Sequence, residues 1–519
     1  MVQTETNTES NLREIYDFVP TRVILFTAKH CVHCKKAKEE LDRSLTQLGD
    51  LSGMFHISIL DVEEEEHLGA YYNVTNLPAL VVGDIVVDQG PMEAGVISSH
   101  LWKNIISSST ERIMAPDGLT REILVDTSIN LLQSVGEEGK RIRPNMGDYV
   151  HCSHLQLRSL SILALDEIAG SLLYNLGKAI GKVGGYSGWV FALNPSLLKA
   201  VNRSEYFTEG VRGVERLYDH DMALGLYSAR DARLVHLEED NALLRINESA
   251  LSTGVPAVGE SLCHYEAGKI AGLLEAITSE ETVVFESSCW GMGDRSCQFE
   301  IMPKEKYERL KEDKAKKEAA KPEEDEEEKK EEEEQQLRYL ARPEIFTTLL
   351  KTILRNIKVS VLEGREIRSG VMDNVHITTL QQQFTVLKLA DPIDGALMYA
   401  AGKKVGDLIQ KTEFRTVKNT PSPNESITLI ERLFNSPLFL LSGDHLKCEG
   451  TAKKDEITFK VFECADASGI SNVGLPLCDY KAGVLAGIIE KLTKKHVTAQ
   501  EVKCPGLGDK HCEFSLTLD

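Results

Sequence analysis

Two sets of cysteines could do chemistry. The first is a repeated frame: Cys263, Glu286, Cys289 and Cys297 return as Cys478, Glu501, Cys504 and Cys512, each 215 positions later. Three thiols and a carboxylate per copy form a four-donor set. Such a set suits zinc first, through its thiolate preference and tetrahedral habit, and iron second. A carboxylate as the fourth donor argues against an iron–sulfur cluster. The competing reading is buried structural cysteine; retention of all four positions in step across a duplication favours a shared site, one ion per copy. His264 and His511 adjoin the frame in one copy each and are left out.

The second set is the pair Cys31 and Cys34 in Lys29-His30-Cys31-Val32-His33-Cys34-Lys35-Lys36. The pair opens the helical pattern KKAKEELDRSLTQL, and a helix N-terminus with neighbouring positive charge favours the thiolate. The chemistry would be thiol–disulfide exchange with a protein thiol or disulfide partner. Cys31, the more N-terminal thiol, would attack and Cys34 would resolve the mixed disulfide. The alternatives are a CxxC that binds metal or one without activity.

Elements must hold both sets. The run RVILFTA (22–28) reads as a buried strand leading into the pair, FHISILDV as a second strand, and ALVVGDIVVD as a third after Asn76-Leu77-Pro78. In each repeat an apolar-periodic helix, AGKIAGLLEAI or AGVLAGIIEKL, separates the first Cys from the Glu. A Gly turn, GMGD or GLGD, lies between the last two Cys and permits a tight hairpin. ARLVHLEE, NALLRINES and DEITFKVFECAD alternate as antiparallel strands do. Upstream, Gly170, Tyr174, Gly177, Lys178 and Gly181 match Gly395, Tyr399, Gly402, Lys403 and Gly406 at an offset of 225, so the second copy is shorter in its middle. These glycines read as helix-packing positions.

Length and charge set the frame. A chain of 519 residues exceeds one core. The expected division is a flexible N-terminus (1–19), a redox-type domain (20–110), a first module (111–302), a charged linker (303–340) and a second module (341–519). The linker is dense in both charge signs and is interrupted by Pro322, so it reads as a solvated helix or a disordered spacer. LTREILVDTSINLL and ARPEIFTTLLKTILRNI read as the helices that open the two modules. A formal net charge of -21 argues against nucleic acid as a partner. A polar opening and no long apolar run imply a cytoplasmic protein without a membrane span.

The order strand, CxxC, helix, strand, Pro, strand over residues 20–107 resembles the thioredoxin and glutaredoxin superfamily. The resemblance implies that Pro78 is cis and lies beside the Cys31–Cys34 pair, shaping the groove for a substrate disulfide. The motif departs from Trp-Cys-Gly-Pro-Cys, with Val-His between the cysteines and His30 before them. Both repeats resemble the 4-vinyl reductase domain, a hydrocarbon-binding type of domain, over most of residues 115–519. That resemblance implies a structural zinc at each Cys-Glu-Cys-Cys set and a small apolar ligand. It also implies domain pairing, either of the two copies within one chain or as a homodimer. Tyr186, Trp189 and Trp290 are aromatic candidates for a ligand wall, with core packing the competing role.

The expected architecture is therefore multidomain, α/β plus α+β: a thioredoxin-like fold followed by two α+β modules. The expected function is a thiol–disulfide redox protein or redox sensor coupled to zinc-stabilised modules that bind a small apolar ligand. The alternative is a non-catalytic ligand-binding or scaffold protein with an inactive thioredoxin-like domain. Reduction of a tetrapyrrole vinyl group is disfavoured, because no nicotinamide or flavin fingerprint is present.

Overall fold

The computed structural model describes residues 20–92, 95–114, 126–127, 130, 141–166, 169–186, 194–223, 226, 228–319, 325–368, 372–389, 392–417, 419–441, 443, 447–453 and 456–519. Most of LTREILVDTSINLL lies outside them.

The N-terminal unit is built on β1 (Thr21–Thr27), whose β-branched and aromatic residues are buried over the last five positions. β2 (Phe55–Asp61) runs parallel to it, and β3 (Ala79–Val82) pairs antiparallel on its other side. β4 (Ile85–Gln89) completes a sheet ordered β2-β1-β3-β4. A parallel neighbour needs a crossover, which α1 (Val32–Leu48) supplies. Its buried Cys34, Ala37, Leu41, Ser44 and Leu48 recur every three or four residues and form one stripe. The stretch ALVVGDIVVD, expected as one strand, is instead the β3–β4 hairpin. Gly83 turns the chain at φ 67°, a conformation the residue adopts without strain. α2 (Glu66–Tyr71) and α3 (Val96–Met114) complete the unit.

The first repeat runs through β5 (Tyr149–His151), α4 (Ser153–Leu163), α5 (Ala169–Tyr186), α6 (Arg203–Ala223), β6 (Ala229–Leu237) and β7 (Ala242–Ser249). It continues with α7 (His264–Thr278), β8 (Thr282–Ser288) and β9 (Cys297–Pro303). Two helices follow, α8 (Lys304–Ala319) and α9 (Asp325–Glu363), so the charged segment is helical on both sides of residues 320–324. The second repeat begins with β10 (Asn374–His376), α10 (Ile377–Leu380), α11 (Pro392–Glu413), α12 (Pro423–Phe434) and α13 (Pro437–Leu441). It ends with β11 (Lys447–Lys453), β12 (Glu456–Phe462), α14 (Asp479–Thr493), β13 (Val497–Lys503) and β14 (Cys512–Leu518). Each repeat forms one four-stranded antiparallel sheet, ordered β6-β7-β9-β8 and β11-β12-β14-β13. The closing hairpin thus joins the earlier strands through β9 or β14 rather than standing apart.

The repeated glycines pack helices against helices. A methyl group on Gly268 of α7 would sit 1.8 Å from the Tyr174 carbonyl oxygen of α5, and one on Gly177 of α5 would sit 1.9 Å from that of Tyr265. Gly402 and Gly483 repeat the arrangement between α11 and α14, each at 2.0 Å. Only a residue without Cβ allows the two backbones to approach this closely.

The two repeats meet about a pseudo-two-fold axis. β5 and β10 pair antiparallel with Val150 opposite Val375, and Tyr149 faces His376 as His151 faces Asn374. The arms that lead into these strands cross over. Ile142 packs where a Cβ on Gly469 would go, and Ile367 packs where one on Gly254 would go. The buried Arg143 guanidinium donates to Gly443 O at 2.6 Å, and the Asn145 and Met146 amides donate to the Glu463 carboxylate. α4 is buried over its whole length, polar residues included. Among these, Arg158 ion-pairs with Asp466 of the other repeat.

Candidate metal centres and dithiol site

The Cys-Glu-Cys-Cys set is assembled from three pieces of backbone. Cys263 precedes α7 as its cap residue, Glu286 lies on β8, Cys289 opens the turn and Cys297 starts β9. The turn is fixed by Asp294: its carboxylate accepts from the Cys289 amide at 3.1 Å, and its own amide donates to Cys289 O at 3.0 Å. Asp509 repeats both bonds around Cys504 at the same lengths. Gly293 and Gly508 take φ 99° and 90° to close the turns.

The helix does not by itself return the first Cys to the hairpin. Gly291 O accepts from Val258 N and Gly259 N at 2.6 and 2.8 Å, and Gly506 O accepts from Val473 N and Gly474 N at 2.8 and 2.9 Å. The loop before each first Cys is thereby fastened to the hairpin tip. A Cβ on Gly291 would lie 2.3 Å from Glu260 O, so the tip must be glycine for the loop to dock. A register shift follows the glutamate in both sheets, between Glu286 and Ser288 and between Glu501 and Lys503. Such a bulge re-aims the strand next to it.

The donor atoms of Cys263, Glu286, Cys289 and Cys297 lie within 4.8 Å of one another, as do those of Cys478, Glu501, Cys504 and Cys512. Cys263 Sγ and Cys297 Sγ are 3.4 Å apart, and Cys478 Sγ and Cys512 Sγ 3.5 Å. Two thiolates at about 2.3 Å from a tetrahedral zinc stand about 3.8 Å apart, close to these spacings. In each glutamate one oxygen is committed to backbone. Glu286 Oε2 accepts from Cys263 N at 2.9 Å and Leu262 N at 3.2 Å, and Glu501 Oε2 accepts from Cys478 N and Leu477 N at 2.8 Å. Oε1 of both is buried and has no hydrogen-bond partner among the described residues.

Electrostatics points the same way. Burial pushes the Glu286 carboxyl up to about 7 and the Glu501 carboxyl well up. Burial likewise raises the Cys263 and Cys478 thiols. Hydrogen bonds from Cys478 and Cys512 lower Cys504 to about 4, and those from Cys263 and Cys297 lower Cys289. Four acidic donors held out of water are the electrostatic complement of a divalent cation, which neutralises them together. The residues fit a soft divalent metal.

In the N-terminal unit Cys31 and Cys34 form a disulfide of 2.08 Å at the start of α1. Cys34 is buried and Cys31 half-buried, and the Cys34 amide donates to Cys31 Sγ at 3.1 Å. Lys29, expected to lend positive charge to the thiols, instead pairs with Glu64 at 2.9 Å. The Leu77–Pro78 bond is cis. Pro78 immediately precedes β3, whose Ala79 pairs with Phe26 near the end of β1 that leads into the motif.

Sequence reasoning missed four residues around the second centre: Cys464, Asp466, Lys481 and Arg158. A search for residues shared by the copies passes over them. The positions matching Cys464, Asp466 and Lys481 in the first repeat hold Ser249, Leu251 and Glu266. Beside them lies a cavity of about 40 Å³, walled by Leu157 of α4 and by Ile409, Phe434, Phe439, Cys448 and Leu485 of the second repeat. Trp290 is half-buried against the core, and the side chains of Tyr186 and Trp189 lie outside the described residues.

The family model of the 4-vinyl reductase domain matches residues 243–303 and 457–518, and the Thioredoxin model matches residues 3–102. Uncharacterized protein MJ1642 of Methanocaldococcus jannaschii is 38% identical over 69 residues, 13% of this chain and 43% of that protein. Uncharacterized protein MJ0150 of the same organism is 36% identical over 67 residues, 13% of this chain and 39% of its own length. The chain thus spans less than half the length of either relative. A crystal structure of a trafficking protein particle complex subunit 3 from Naegleria fowleri, covalently bound to palmitic acid, covers 34% of this chain and 96% of its own. Its sequence identity is 16% and its TM-score 0.18, so it carries no inference. The two matched repeats contain both closing hairpins and all four donors of each metal set, and the N-terminal match contains the dithiol: the chain carries a thioredoxin domain followed by two 4-vinyl reductase domains.

Proposed function

We propose that the protein is a thiol–disulfide redox protein or redox sensor, in which the thioredoxin domain is coupled to paired modules stabilised by zinc and able to bind a small apolar ligand. The observation that carries the reading is the pairing of two site types in one chain: a half-buried dithiol at a helix start, and two matching Cys-Glu-Cys-Cys sets. In exchange, the Cys31 thiolate attacks a sulfur of a partner disulfide and expels one partner thiolate. The Cys34 thiolate then attacks Cys31 Sγ, releasing the second partner thiol and leaving Cys31–Cys34 oxidised. The reverse sequence oxidises a partner dithiol. The cis Pro78 borders the groove that receives the partner.

Zinc held by Cys263, Glu286, Cys289 and Cys297, and by Cys478, Glu501, Cys504 and Cys512, supplies cross-linking of loop, strand and hairpin rather than reaction chemistry. The apolar lining of the cavity beside Phe434 and Phe439 supports the ligand reading. At about 40 Å³ it holds only a few atoms, so a larger ligand enters with those two rings turned aside.

The test combines metal analysis and thiol counting on one reduced sample, before and after mild oxidation. About two zinc ions per chain, with two thiols lost on oxidation and exchange activity abolished in Cys31→Ser, is the expected result. No metal and no dithiol oxidation would refute it. That outcome would return the cysteine frame to core packing.

A further inference from the structure

The two centres are not equivalent. Cys464 follows β12, and its Sγ lies 3.7 Å from Cys478 Sγ, the spacing of two thiolates on one tetrahedral zinc. It is also in hydrogen-bond contact with Cys512. The second centre therefore gathers four sulfurs and one carboxylate where the first gathers three and one. The matching residue in the first repeat is Ser249, which cannot supply a thiolate.

Three further differences accompany the extra sulfur. Lys481, buried on α14, donates to Cys464 Sγ at 3.3 Å, whereas the first repeat has Glu266 at that position. A fourth thiolate adds one negative charge to a buried centre, and the ammonium offsets it. In the first repeat the Ser252 hydroxyl contacts Cys297 Sγ at 3.2 Å; its match in the second is Ala467. Asp466 has Lys481 at 3.3 Å and the Arg158 guanidinium against it. Two cations on that carboxylate argue against a second metal ion at the Cys464 face.

Resting on the reading that the sets bind metal, we infer that Cys464 is a fourth thiolate ligand of the second centre, which takes a metal as Cys464, Cys478, Cys504 and Cys512, with Glu501 displaced to hold the backbone amides of Leu477 and Cys478. Glu501 is already arranged for that role through its two 2.8 Å bonds. The first centre has no substitute for Glu286. The two centres of one chain thus differ in ligand set, and the second favours softer ions.

Cobalt(II) loaded into the full chain tests this, since its sulfur-to-metal absorption scales with the number of thiolates bound. Cys464→Ser is expected to keep two cobalt ions and lose about one seventh of that absorption, one thiolate of seven. Glu501→Gln is expected to keep both ions, while Glu286→Gln drops to one. Unchanged absorption in Cys464→Ser, or equal metal loss in the two glutamate variants, overturns the inference while leaving the metal reading intact. A wild-type chain that binds no cobalt removes both.

Discussion

Acid should loosen the seam between the two repeats through one histidine. His376 ends β10, is 4% exposed and packs edge-on against the Tyr149 ring at 5.4 Å. Its Nδ1 accepts from the Thr378 amide at 3.2 Å, so the neutral ring caps the following helix. Burial lowers its titration from the ordinary 6.5 to about 4, the Arg143 guanidinium adding to the effect and the Asp148 carboxylate opposing it. The unfolded chain takes up a proton near 6.5 and the folded chain only near 4, so stability falls as pH drops through that window and levels below it. At about 1.4 kcal/mol per tenfold in proton affinity, the full loss is about 3 kcal/mol. His376→Asn keeps a side-chain acceptor at the cap and removes the titration. Acid-labile metal ligands load both proteins alike, so the informative quantity is the difference between them. Urea unfolding from about pH 7 to 4, followed at the β5–β10 seam by hydrogen exchange of the Val150 and Val375 region, should show the variant losing about 3 kcal/mol less than wild type. Parallel curves would refute the assignment of this acid sensitivity to His376.

Other outcomes follow from the same geometry. Cys34→Ser should trap the mixed disulfide on Cys31 with a partner, visible as a reducible adduct by mass spectrometry, whereas Cys31→Ser should form none. Chelation of both ions should lower the thermal midpoint of the two 4-vinyl reductase domains while leaving that of the thioredoxin domain in place; coincident unchanged transitions would deny the centres a structural role. Gly268→Ala places a methyl 1.8 Å from Tyr174 O, forces the helices apart and should cost about 1–3 kcal/mol or more, read as a lower denaturant midpoint.

The metal frame is legible in the sequence because a duplication displays its own constraints. Positions that stay in step at an offset of 215 declare themselves, and the glycines of α5, α7, α11 and α14 do so as packing residues. The same reasoning is blind to residues that differ between copies, which is why Cys464 and Lys481 escape it. The hairpin at Gly83 reads as one strand because alternation continues through the turn and only the glycine marks it. The crossed arms are not legible at all. Ile142 seats against Gly469 and Ile367 against Gly254, matches of shape between residues far apart in the chain for which no local pattern exists. The dock of Gly291 against Glu260 likewise depends on a close approach that sequence spacing does not encode.

The β5–β10 seam has a consequence for dilution. Two separate subunits joined through so short a ribbon would come apart as their concentration fell. Here both strands belong to one chain, which holds them at a high effective concentration however few copies a cell contains. Covalent union also ends the obligation of a symmetric dimer to accept every mutation twice. One half can then acquire a new cysteine and its lysine while the other keeps serine and glutamate, so the seam that joins the halves also leaves them free to drift apart in chemistry.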